Sequence, residues 1–177
     1  MSATVICGYG GVGKTELAKK YKNVVDLESI FWKWNYHEDI SNNIEHYKFY
    51  NDREANENYP YNYIEAIKES INKYDIVLVA YSDTIIQSLK DNNIDFLLCY
   101  PTEDSKDVYL ERYKKRGNNE ELINIVKETF EEEISEAEKR HLPSIILKGE
   151  ETLEDHLLKD GYHLEKREVY KKFDINF

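Results

Sequence analysis

Apolar residues fall in short blocks along the chain, separated by longer stretches dominated by charged and polar side chains. Residues 3–7 are apolar or β-branched without alternation, and Gly8-Tyr9-Gly10-Gly11 bounds them. Such a run reads as a strand buried on both faces. From Gly13 to about Tyr21 the spacing turns helical, and Val24-Val25 gives a second short strand ending at Asp26. Ile76–Ala80 is apolar throughout and predicts a third strand, followed by a helix over residues 84–90. Residues 94–100 predict a fourth strand, stopped by Pro101. Residues 103–116 read as a helix ended by Gly117, and a longer helix follows from Glu120 to about Arg140. Ser144–Leu147 predicts a fifth strand and residues 153–158 a closing helix. Strands alternating with helices specify an α/β fold with a five-stranded parallel sheet and crossover helices.

One connection breaks the rhythm. The insert between strands 2 and 3, roughly residues 29–74, is much longer than a single crossover needs. It is rich in aromatics, Trp32, Trp34, Tyr36, Tyr47, Tyr59 and Tyr63 among them, most of which are expected to pack a small core of its own.

The turn after the first strand carries the chemistry. Gly8-Tyr9-Gly10-Gly11-Val12-Gly13-Lys14-Thr15 matches G-x-x-x-x-G-K-[ST] in full, between a strand and a helix as that motif requires. Glycines let the backbone curl so that successive N–H groups point inward at phosphate oxygens, and the helix N-terminus adds its positive end. Lys14 is expected to reach the β- and γ-phosphates of ATP, and the Thr15 hydroxyl to ligate Mg²⁺.

Other phosphate-binding classes fit less well. Asn72-Lys73-Tyr74-Asp75 spells the guanine-reading N-K-x-D pattern, but it leads into a strand instead of following one, and no D-x-x-G exists in the chain. It reads as a helix end. An ATPase motor would want an acid directly after Ile76–Ala80, where Tyr81-Ser82-Asp83 offers one three residues late, in a helix-capping position. The well-placed acids are Asp26 and Glu28, on one face of an extended segment at the end of the second strand. They either bind the metal, directly or through water, take a proton from an attacking hydroxyl, or serve as a solvated acid and a helix cap. Arg112 and Arg116 share one face of the helix after the fourth strand, with Lys106 earlier on it. They read as charge for a migrating phosphoryl group or as a solvated face paired with Asp107 and Glu111.

Composition narrows the partners. With 177 residues the chain is one domain, residues 1–177. A net charge of −11 disfavours a nucleic-acid partner. Cys7 and Cys99 sit in apolar runs without metal-ligand spacing, which fits a reducing compartment. No apolar run approaches the ~18 residues of a membrane span and no signal-peptide pattern begins the chain, so a cytoplasmic protein without membrane contact is expected.

Taken together, the motif, the D-x-E after the second strand, the long insert and the arginine-bearing helix resemble the P-loop nucleoside monophosphate kinase group, which includes adenylate, shikimate and gluconate kinases. The segment Tyr100-Pro101-Thr102…Tyr109-Leu110-Glu111-Arg112-Tyr113…Arg116-Gly117 is similar to small phage-encoded members. The resemblance implies a three-layer P-loop NTPase fold with a helical insert between strands 2 and 3. It implies an ATP- and Mg²⁺-dependent kinase acting on a small-molecule acceptor, with a nucleoside or deoxynucleoside monophosphate the leading candidate. A small-metabolite hydroxyl and a non-catalytic nucleotide-binding regulator are the alternatives. It makes Gly8, Gly10, Gly11, Val12, Gly13, Lys14 and Thr15 the ATP phosphate site, with Gly149 near the base. Thr15 and Asp26 become metal ligands and Lys14, Asp26, Glu28, Arg112 and Arg116 the catalytic group. Residues 103–119 become a lid, the insert the acceptor module, and Arg53 its clamp on an acceptor phosphate. The family's D-G-x-P-R and R-x-x-G-R segments are absent.

Overall fold

In a computed structural model of the chain, which describes residues 3–37 and 53–168, five short apolar runs form one parallel sheet. Its strands are β1 (Thr4–Gly8), β2 (Val24–Leu27), β5 (Ile76–Ala80), β6 (Phe96–Pro101) and β7 (Ser144–Leu147). They lie in the order β2-β5-β1-β6-β7. The central strands are continuous in Val, Ile, Leu and Cys because helices cover both faces, and Ile6, Val77, Leu78 and Leu98 are fully buried. Cys7 and Cys99 are buried as free thiols. Burial pushes both up to about 12, against the pull of nearby Lys14, so they are uncharged and inert near neutral pH.

The helices are α1 (Lys14–Lys20), α2 (Ile30–Lys33), α3 (Tyr61–Ile71), α4 (Asp83–Asp91), α5 (Lys106–Lys115), α6 (Glu120–Lys139) and α7 (Leu153–Lys159). From β1 the chain passes over β5 to β2, returns to β5, crosses β1 to reach β6 and steps on to β7. Right-handed crossovers send α1 to one face and the crossover helices between β2 and β7 to the other, while α7, after the last strand, returns to the face of α1. The packing agrees, since α1 meets β2 and α7 while α6 meets α5 and β6. The order reverses beside β1, which makes the C-terminal end of β1 the ligand-gathering point of the sheet.

Three expectations need correction. The insert is not purely helical: β3 (Trp34–Tyr36) and β4 (Arg53–Ala55) pair antiparallel between α2 and α3. Tyr47, in the same insert, lies outside the described residues. The fourth strand starts at Phe96, not Ile94. Asn93 takes a left-handed turn (φ 53°), and the Asn93 and Ile94 N–H groups close back on the Lys90 and Leu89 carbonyls, so Ile94 ends α4. At the start of α4 the cap is Ser82, whose hydroxyl accepts from the Ile85 N–H, while Asp83 pairs with Arg140. Asn72–Asp75 is indeed a helix end: Asn72 is the C-cap of α3 and Asp75 donates to the Asn23 carbonyl as the chain enters β5. Among the described residues, no helix is long and apolar enough to cross a membrane.

Candidate functional site

β1 ends at Gly8, and the five residues after it curl into a loop that closes at the N-terminus of α1. Two conformational features make the curl possible. Gly11 and Gly13 hold φ of 88° and 99°, where a Cβ is strained, and Gly13 caps α1 by accepting from the Leu17 N–H. Val12 is buried below as a plug, and its carbonyl accepts from the Leu153 N–H at 2.9 Å, tying the loop to the start of α7. The backbone N–H groups of Gly10, Gly11, Gly13, Lys14 and Thr15 have no hydrogen-bond partner among the described residues. A run of unpaired donors at a helix start forms an anion-binding concavity. Lys14 folds over the loop, its ammonium donating to the Gly8 carbonyl at 2.7 Å and the Tyr9 carbonyl at 3.2 Å.

Thr15 and the acids of β2 come together. The Thr15 hydroxyl donates to Asp26 Oδ2 at 2.8 Å and lies 3.3 Å from Glu28 Oε1. A hydroxyl and two carboxylates are hard oxygen donors of the kind Mg²⁺ takes alongside phosphate and water, so the residues fit that ion. This cluster opens into a cavity of about 500 Å³ that Lys19, Phe31 and Arg167 also line. A larger cavity, about 760 Å³, lies at the opposite ends of β1 and β6, between Ala3 and Pro143 and away from these groups.

On the other flank, α5 rests directly on the loop. The Tyr109 ring meets Gly11 and the Tyr113 hydroxyl meets Gly10, so a Cβ at Gly10 would collide and one at Gly11 would be tightly pressed. Tyr109 is fully buried, in ring contact with Tyr9 and Phe130. Burial pushes the Tyr9 hydroxyl far above its usual range, reinforced by the nearby Glu133 carboxylate. Arg112 donates to the carbonyls of Gly11 (3.0 Å), Glu150 (2.7 Å) and Glu151 (3.3 Å), and its guanidinium lies 4.7 Å over the Tyr109 ring. The segment expected as a lid therefore rests on the loop, with Arg112 clipping the loop to the turn after β7. Arg112 and Arg116 line one cavity of about 380 Å³ together with Gly11, Gly13, Lys115 and Thr152. Glu111, expected as a partner of the arginines in the solvated-face alternative, pairs with Lys114 instead, and Lys106 leaves the cationic group to pair with Glu131 on α6.

Two further expected residues are held as follows. Gly149 is a turn residue (φ 56°) whose N–H donates to the buried Ser105 hydroxyl, and the carbonyls of the next two residues are those held by Arg112. Arg53 begins β4 and lays its guanidinium 4.2 Å over the Trp34 ring. Stacking of this kind occupies the face of the guanidinium, while its N–H rim lies in the plane. Tyr109 and Tyr113 were legible as partners of Arg112, since positions i, i+3 and i+4 share a helix face. Tyr63 carried no such signal. Comparison with protein-family models, curated proteins and solved structures finds no match for this chain.

Proposed function

We propose that this protein is an ATP-dependent phosphotransferase of the P-loop kinase type, acting on a nucleoside or deoxynucleoside monophosphate. The observation that carries the reading is the meeting of Thr15 with Asp26 and Glu28 beside a loop of unpaired N–H donors. The sheet order, with its reversal beside β1, supports a P-loop NTPase fold around that loop.

In this reading the N–H groups of Gly10, Gly11, Gly13, Lys14 and Thr15 hold the β- and γ-phosphates. Lys14 leaves the Gly8 and Tyr9 carbonyls for the γ-phosphate oxygens, which carry more negative charge. Thr15 and Asp26 would hold Mg²⁺, which supplies neutralisation of the phosphate charge. The nucleoside lies in the cavity beside Arg112, and Arg116 and Lys115 direct positive charge into the same space. An acceptor oxygen forms its bond to the γ-phosphorus as the β–γ bridging bond breaks, leaving ADP. A monophosphate acceptor brings an ionised oxygen and needs no base.

A hydroxyl acceptor is the second reading. Glu28 favours it as a second carboxylate beside Asp26, placed to take the hydroxyl's proton. The test is Lys14→Ala, assayed for ADP release with a panel of acceptors. Turnover is expected to fall at least ~100-fold with the fold intact, from loss of one charge contact in the transition state. Unchanged turnover contradicts the mechanism, and tight ATP binding without any turnover in either protein moves the reading to a nucleotide-binding regulator.

A further inference from the structure

The β2/β5 ladder stops one bond early at its C-terminal end. Leu27 pairs with Val79, and the next bond of a parallel ladder would run from the Ala80 N–H to the Leu27 carbonyl. The Tyr63 hydroxyl is interposed there. It donates to the Leu27 carbonyl at 2.5 Å and accepts from the Ala80 N–H at 3.0 Å. Tyr63 is fully buried, so both bonds are made away from water, where polar contacts are strongest and their loss costs most.

Leu27 lies between the two residues whose carboxylates face the Thr15 hydroxyl. Tyr63 comes from α3 of the insert, with its ring against Trp32 (5.3 Å) and Tyr59 (6.2 Å), and its neighbour Asn62 donates to the Trp32 carbonyl. We infer that the Tyr63 hydroxyl is a positioning group that holds Asp26 and Glu28 at Thr15 and joins their placement to the insert. The inference rests on the phosphotransferase reading. A displacement of α3 passes through one oxygen to the Leu27 carbonyl and from there to both acids. The insert thereby acts on the metal-binding end of the site through a buried hydrogen bond.

Tyr63→Phe keeps the ring and removes the oxygen. The Ala80 N–H then closes on the Leu27 carbonyl and draws the acid arm from Thr15. Calorimetry of ATP binding, in EDTA and across a Mg²⁺ series, reads the effect without needing an acceptor. The affinity that Mg²⁺ adds to ATP binding is expected to fall about 10-fold, the scale of losing a group that orients a metal ligand, while affinity in EDTA is unchanged. Ile67→Val, in the buried face of α3, is the control. It lowers the melting temperature but leaves the Mg²⁺ series as in the wild type. Should Tyr63→Phe fail to fold, 3-fluorotyrosine at position 63 keeps the hydroxyl and reports by ¹⁹F NMR, with a resonance that shifts when Mg²⁺ is added to the ATP-loaded protein. An unchanged Mg²⁺ contribution in Tyr63→Phe, or a silent ¹⁹F resonance, overturns the inference. A wild type whose ATP binding ignores Mg²⁺ overturns the phosphotransferase reading, and this inference with it.

Discussion

The contact between α5 and the Gly8–Thr15 loop is testable at a single atom. An alanine at Gly10 would drive its Cβ into the Tyr113 hydroxyl and set it 3.2 Å from Tyr113 Cζ. Ordinary packing distances require that hydroxyl to retreat, by a turn of the Tyr113 side chain or a shift of α5. Overpacking of that kind costs about 1–3 kcal/mol. Gly10 has no positive φ, so the penalty comes from the clash and not from the backbone. Removing the oxygen in Tyr113→Phe leaves a ring carbon at 3.2 Å, which an adjustment of a few tenths of an ångström relieves. The double variant should therefore regain about 1–2 kcal/mol relative to the sum of the single ones. Urea unfolding of the wild type, both single variants and the double variant measures this coupling. Gly11 supplies the contrast. Its φ of 88° strains any Cβ and the nearest atoms are Tyr109 ring carbons, so Tyr109→Phe should not rescue Gly11→Ala. Strict additivity of Gly10→Ala and Tyr113→Phe would refute the packing of α5 on the loop.

The other predictions separate holding from chemistry. Arg112→Ala removes bonds to three carbonyls and should cost about 1.5–3 kcal/mol in urea unfolding, because those bonds come from a charged donor. Arg116→Ala, on the exposed end of α5, should stay within about 0.5 kcal/mol in the same assay while lowering turnover at saturating ATP. Thr152 and Asp155 form a reciprocal cap on α7, next to the Val12 carbonyl, and Thr152→Ala should cost about 1 kcal/mol by thermal unfolding. The Thr152 hydroxyl and N–H hold the Asp155 carboxyl below its usual range, and at Glu154 the hydrogen bonds from Lys20 and Tyr21 outweigh the upward push of burial. Both folded-state values are depressed, so this stability is present above the ordinary carboxylate range and is lost as pH falls through it. Asp155→Asn and Glu154→Gln should each flatten the acid side of a stability–pH profile, and an unchanged slope would contradict the bonding described.

Local signals were legible where one segment of chain decides the outcome. Ile76–Ala80 and Ser144–Leu147 form strands at the expected residues because unbroken apolar runs flanked by turn chemistry have few alternatives. Gly117 ends α5 as expected, with φ 77° and the Gly117 and Asn118 N–H groups returning to Lys114 and Tyr113. The turn from β1 into α1 was legible for the same reason, and the common face of Asp26 and Glu28 followed from strand periodicity. What escaped depends on partners distant in sequence. Ile94 is apolar in either role, and only the left-handed turn at Asn93 assigns it to α4. The Arg112 charge pointed to phosphate, but its bonds go to carbonyls 38 and 39 residues away, whose positions no spacing rule gives. Tyr63 looked like one aromatic among many, and its hydroxyl matters only because β2 and β5 part at the same level.

The central claim is that this loop, with Thr15, Asp26 and Glu28, transfers the γ-phosphoryl group of ATP. The most direct measurement incubates the protein with γ-labelled ATP and Mg²⁺, alone and with each ribo- and deoxynucleoside monophosphate, and follows the label. The account predicts label in one nucleoside diphosphate, dependent on Mg²⁺ and lost in Lys14→Ala. Label that stays in ATP with every acceptor tested, hydroxyl compounds included, would contradict it.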